Sequence, residues 1–286
     1  MESLRIVKER RIPTRGEVLV ELNNEVEPDT VIAKGMVPSQ EIHELRLHRS
    51  LNIDPDDVKH HLVKHAGETV EKDEVIAIAR SFFGRQTKMA RSPIDGVIES
   101  FSETNGRMMI KGHPVPVEVS SFIPGTVTQI FPGEGAMVET QGYRFNGLFG
   151  VGGETHGILE TVVDAGNVPL TSSEIKPMHS GKVLVGGSVV TLDALREAVK
   201  QGVRGIIVGG VDQKDLTYFL GYEIGLGVTG GENIGLTLIL TEGFGVNPIP
   251  VETFTAFREL SGKLACIDGT THIRSRSLRP EIIVPL

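Results

Sequence analysis

Residues 15–33 (RGEVLVELNNEVEPDTVIA) align without a gap on residues 59–77 at an offset of 44. Val26-Glu27 falls on Val70-Glu71, Asp29 on Asp73, and Val31-Ile32-Ala33 on Val75-Ile76-Ala77. Asn23-Asn24 stands where Gly67-Glu68 stands later, and Asn and Gly are the residues that best tolerate a left-handed turn. A repeat at fixed offset predicts two copies of one structural unit. Each copy carries too few apolar residues to enclose a core, so each must pair with a complementary half. Val and Ile at period two around glycine turns predict short strands and a thin β core.

The fullest version of the pattern lies in residues 60–101. Gly67-Glu68-Thr69-Val70-Glu71-Lys72-Asp73-Glu74-Val75-Ile76 is followed, after a predicted turn at Phe82-Phe83-Gly84-Arg85, by Ser92-Pro93-Ile94-Asp95-Gly96-Val97. These two elements resemble the barrel-sandwich hybrid of biotinyl and lipoyl carrier domains. The resemblance implies a modified lysine at the hairpin tip, but Arg85 stands at that position. A ligase that forms an amide on a lysine amine cannot use it. Lys88 falls three residues late, inside the next strand, and presenting it would need a register slip that turns side chains to the wrong face. No modified lysine is expected, and the resemblance then implies a barrel used for docking, like unmodified relatives of this fold inserted in larger assemblies.

Further along, Ile123-Pro124-Gly125-Thr126-Val127 echoes residues 92–97, and Met137-Val138 follows a turn at Pro132-Gly133-Glu134-Gly135. The run Phe149-Gly150-Val151-Gly152-Gly153 lacks the Lys-Ser/Thr ending of a phosphate-binding loop, and reads as a crowded sheet corner. From Gly181 the pattern changes to continuous apolar strands (Val183-Leu184-Val185, Ile206-Ile207-Val208, Leu238-Ile239-Leu240) alternating with helical spacing at Leu192, Leu195 and Ala198. That alternation predicts a covered parallel sheet. The expected fold class is α+β: a β-rich barrel-sandwich region over 1–157, a connection over 158–180, and a small three-layer α/β domain with a mainly parallel sheet over 181–286. The pattern of residues 240–245 and 279–285 also resembles that of a bacterial protein group without assigned activity, which implies co-occurrence of the two halves and no reaction.

Composition narrows the function classes. The net charge of −8 and the absence of Trp argue against a nucleic-acid coating or base-stacking surface. The one cysteine, Cys266, leaves no internal disulfide and sits in a strand-like run, so a buried thiol is expected. His61 and His65 would lie about 13 Å apart on a strand, too far for one ion, and no metal is expected. With neither a signal core nor an apolar run of about 18 residues, a cytoplasmic protein without membrane contact is expected.

Open parallel sheets bind ligands beyond their strand carboxyl ends. Those ends carry Gly186-Gly187, Gly209-Gly210, Thr241-Glu242-Gly243 and Asp268-Gly269-Thr270, with Arg274 and Arg276 following. Glycines there would open backbone N–H groups to an anion, and the arginines would supply charge. Two functions are expected to compete: a non-catalytic adaptor whose barrel docks a protein partner, and a protein that binds or turns over a small anionic ligand at those ends. No cofactor is expected under either, and no catalytic residue is assigned.

Overall fold

The computed structural model describes residues 2–80, 87–222, 234–271 and 279–286. The turn expected at residues 82–85 lies outside them. The protein is α+β and rich in strand, with a large mixed sheet and few helices. Among the described residues no helix is long and apolar enough to cross a membrane.

The chain divides into two compact units, neither of them continuous in sequence. One comprises residues 1–11, 18–33 and 119–286, the other 12–17 and 34–118. This division differs from the boundaries read at 157 and 181. Strand Gly135–Asn146 pairs with Glu281–Pro285, and strand Glu154–Thr161 pairs with Leu264–Asp268. The β-rich N-terminal segments and the last strands therefore share one sheet. Nothing in the local pattern of residues 135–161 marks a partner more than a hundred residues away.

The sequence repeat is a structural repeat, and it shows how the halves pair. In the second unit, Thr69–Val70 pairs with Gly96–Ser102, which pairs with Arg107–Gly112, which pairs with Ile42–Arg46. In the first unit, Glu25–Val26 pairs with Gly125–Phe131, which pairs with Gly135–Asn146, which pairs with Leu4–Arg11. Register matches as well: Val70 faces Gly96 as Val26 faces Gly125. The hairpin Val75–Arg80 with Thr87–Arg91 corresponds to the neighbours Val31–Val37 and Val115–Ser120. Several turn hydrogen bonds repeat. Glu68 N donates to His65 O as Asn24 N donates to Glu21 O; Ser92 N donates to Glu74 O as Ser121 N donates to Thr30 O.

The chain thus begins one module with residues 17–33, leaves it along Val31–Val37, builds a whole second module, and returns along Val115–Ser120 to finish the first. Each module has its own core. Ile76, Ile98, Met108 and Ile110 anchor the inner one, and Ile32, Ile123, Val127 and Val138 the outer. Gly96 and Gly125 are required for the same reason. A Cβ on either would come within 2.2 Å of the carbonyl oxygen of Lys111, or 2.1 Å of that of Glu139. The buried hydroxyls of Ser92 and Ser121 each donate at 2.6 Å to the carbonyl two residues on, Ile94 and Ile123. Ser92→Ala and Ser121→Ala should each cost about 1–2 kcal/mol in urea unfolding, because a buried carbonyl loses its donor.

The remainder of the first unit carries the helices. Strands Glu154–Thr161, Val183–Val185, Gly205–Val211 and Thr237–Phe244 are parallel neighbours. Phe149–Val151 joins antiparallel at one side of this section and Leu264–Asp268 antiparallel at the other. Helices Leu192–Gln201, Gln213–Leu220 and Val251–Glu259 bury Leu195, Leu216 and Phe257 in the same core. Thr191 and Asp212 cap the first two by accepting from Ala194 N and Lys214 N. Gly202, in the left-handed region, ends the first helix, as its sequence position predicts.

Candidate functional site

The residues singled out at strand ends fall into two groups. Gly186, Gly187, Gly209, Gly210, Thr241, Glu242 and Gly243 lie at the carboxyl edge of the parallel section. Asp268 and Thr270 do not join them. Strand Leu264–Asp268 runs antiparallel to Glu154–Thr161, so Asp268 faces Glu154 at the amino edge. An apolar strand of five residues reads alike in both directions, which is why sequence pattern placed its end with the others. There Asp268 accepts from Thr270 N at 2.8 Å. The buried Thr271 hydroxyl bridges Gly150, accepting from its N–H and donating to its carbonyl. Arg274 and Arg276 lie outside the described residues.

At the carboxyl edge the glycines meet backbone. A Cβ on Gly187 would lie 2.0 Å from Val168 O, one on Gly209 1.8 Å from Asn247 O, and one on Gly210 2.1 Å from Gly245 O. Gly186 sits against the Leu170 side chain. Their N–H groups are engaged too: Gly186 N donates to Ile207 O and Gly209 N to Gly187 O, both at 2.8 Å. Segments around residues 168 and 247 therefore fill the position an anion would take, and two of the helix starts, at Thr191 and Asp212, are capped by their own side chains. Thr241 Oγ1 donates to Val208 O at 3.4 Å, while Glu242 is exposed. The glycines serve close approach of chain to chain.

The chain was compared with protein-family models, curated proteins and solved structures. None matches.

The second unit carries an open concavity. A groove of about 760 Å³ runs beside the edge strand Thr69–Val70, lined by Lys64, Glu71, Lys72, Asp73, Glu74 and His113. Lys64 Nζ pairs with Glu74 at 2.9 Å and donates to Thr69 O at 3.1 Å. The hydrogen bond from Glu71 N, and then Lys64, hold the Glu74 carboxyl below its usual range. By sequence, Glu71 to Glu74 fall in the repeated motif, with no role assigned to them. The signal available was the charged turn between two strands of the repeat, where Asp73 takes a left-handed φ of 67°.

Cys266 is fully buried on strand Leu264–Asp268. Burial, with Asp29 and Glu154 nearby, pushes its thiol up to about 12 from 9.0. It is no nucleophile at neutral pH. The native state holds this proton after the unfolded chain has released it, so the thiol's contribution is complete below pH 9 and is lost as pH rises towards 12. Relative to Cys266→Ala, the wild type should lose up to about 1.4 kcal/mol per pH unit between pH 9 and 10.5 in urea titrations. Among the described residues no group of three or more His, Cys, Asp or Glu is arranged to hold a metal.

Proposed function

We propose that the protein is a non-catalytic adaptor whose inner β module docks a protein partner through the groove beside Thr69–Val70. One observation carries the reading. The edge where a parallel sheet takes a small ligand is filled by backbone, while the inner module offers an open, charged groove. Small-molecule sites are enclosed and mostly apolar, and this groove is neither. In this reading both modules are barrel-sandwich hybrids without a modified lysine, supported by the paired halves and their matching turns. The parallel section with its three helices supports reading a small α/β portion within the first unit, which takes one of its four parallel strands, Glu154–Thr161, from before residue 181.

The test pairs two measurements on the full chain. A partner captured by the wild type should be lost by Lys72→Glu with His113→Glu, substitutions on the groove wall that leave the core intact. Nucleotides, sugar phosphates, coenzyme A and dicarboxylates should leave the melting temperature unmoved. A bound ligand at a hundredfold excess over Kd would add about 2.7 kcal/mol. Such a shift, abolished by Thr241→Val, would replace the adaptor with the anion-binding reading.

A further inference from the structure

The two modules differ at one point where the fold demands no difference. Both hold a buried serine that donates to the carbonyl two residues on, and both then run into the glycine that meets the neighbouring strand. Between serine and isoleucine the inner module has Pro93, whose φ is necessarily negative. The outer module has Phe122 at φ +68°. A bulky residue in the left-handed region is strained by about 1–3 kcal/mol and persists where the surroundings impose it. Pro93 shows that the module closes without that conformation.

What the strained Phe122 does is place its ring under two cations, 5.4 Å from Lys8 Nζ and 5.6 Å from the Arg10 guanidinium. Lys8 also pairs with Glu281, whose carboxyl is 8% exposed, while Lys8 itself keeps 20% of its side chain in solvent. Glu154, Asp268 and Glu281 face one another across three adjacent strands, so they line one face of the sheet. Arg10 binds Glu154 through both carboxylate oxygens, at 2.7 and 2.6 Å. Arg144, half exposed, stands 3.4 Å from the second Glu281 oxygen. That oxygen is buried and has no hydrogen-bond partner among the described residues. A buried carboxylate oxygen left in this state is rare and calls for an explanation. The cluster is a lysine amine held beside an under-satisfied carboxylate, over an aromatic face, with an arginine at the solvent side.

We propose that Lys8 reversibly captures a small carbonyl compound bearing a carboxylate, as an imine, with Arg144 binding the carboxylate and Glu281 relaying protons. The amine lone pair forms the bond to the carbonyl carbon as the carbon–oxygen bond breaks. The oxygen leaves as water with the two amine protons, and no other reactant enters. Burial first, then Arg144 and Arg10, lower the Lys8 pKa to about 8, with Asp268 and Glu154 acting the other way. The Glu281 contact favours the ammonium, and the imine forms from the uncharged amine that burial and the two arginines favour.

Glyoxylate with cyanoborohydride at pH 7, followed by peptide mass spectrometry of the full chain, tests this directly. Lys8 should be carboxymethylated about tenfold faster than Lys200, although the Lys200 side chain is 73% exposed. Labelling of Lys8 no faster than Lys200 overturns the proposal. Acetaldehyde supplies the second comparison, since it lacks the carboxylate. The ratio of glyoxylate to acetaldehyde rates at Lys8 should fall about fivefold in Arg144→Gln, because only the carboxylate loses a partner. The ratio cancels any change in the amine's own basicity. An unchanged ratio removes the carboxylate from the assignment.

Discussion

Gly209→Ala should destabilise the first unit by roughly 3–4 kcal/mol, at the upper end for overpacking, with the urea midpoint lowered and the slope unchanged. Its Cβ would sit 1.8 Å from Asn247 O and 3.0 Å from Gly187 O. Both obstacles are backbone, so no rotamer change relieves them. Nor is either free to move: Asn247 N donates to Ser188 O at 2.9 Å, and Asn247 Nδ2 to Phe244 O at 2.8 Å. Gly262 supplies the control. It is left-handed at φ +91°, and a methyl added there would meet nothing within 4 Å, so its alanine variant carries backbone strain alone, about 1–2 kcal/mol. Equal losses at the two positions would mean that the chain around residue 247 yields, and that the carboxyl edge can open.

The second large effect separates the modules. Ile32 and Ile76 occupy the same place in the repeat, and both are fully buried. Truncating either to alanine should cost about 2–5 kcal/mol. The losses should be read out in different amides. Ile76→Ala should raise hydrogen exchange in strands Val75–Arg80, Gly96–Ser102 and Arg107–Gly112, and leave Gly125–Phe131 protected; Ile32→Ala should do the reverse. Exchange rising together in both sets would show the two cores to be one cooperative unit.

The repeat at an offset of 44 residues was legible because strand periodicity and turn residues are local properties. The cap at Asp212 and the stop at Gly202 were legible for the same reason. Pairing was not, since residues 17–33 close against residues 121–139 while a nearer and similar partner lies between them. Strand direction was not legible either. Leu264–Asp268 is as apolar as its parallel neighbours, and only its ladder with Glu154–Thr161 shows that it runs the other way. The glycine pairs were found at the right strand ends, but composition cannot distinguish a glycine that admits a ligand from one that admits another stretch of chain. Lys8 and Glu281, 273 residues apart, meet through strand pairing alone. Phe122, set against Pro93, was the one trace of their cluster within the sequence.

One module nested inside another also imposes an order in time. On a ribosome, residues 17–33 emerge long before residues 121–139, a delay on the order of 5–20 seconds at ordinary synthesis rates. Throughout that interval the first half waits unclosed while the inner module, whose halves are close in sequence, becomes complete. The strand it meets first, Gly96–Ser102, carries the same glycine at the same register as its true partner. Closure of the inner module before residues 121–139 emerge would remove that decoy, so the fidelity of one fold would depend on the speed of the other.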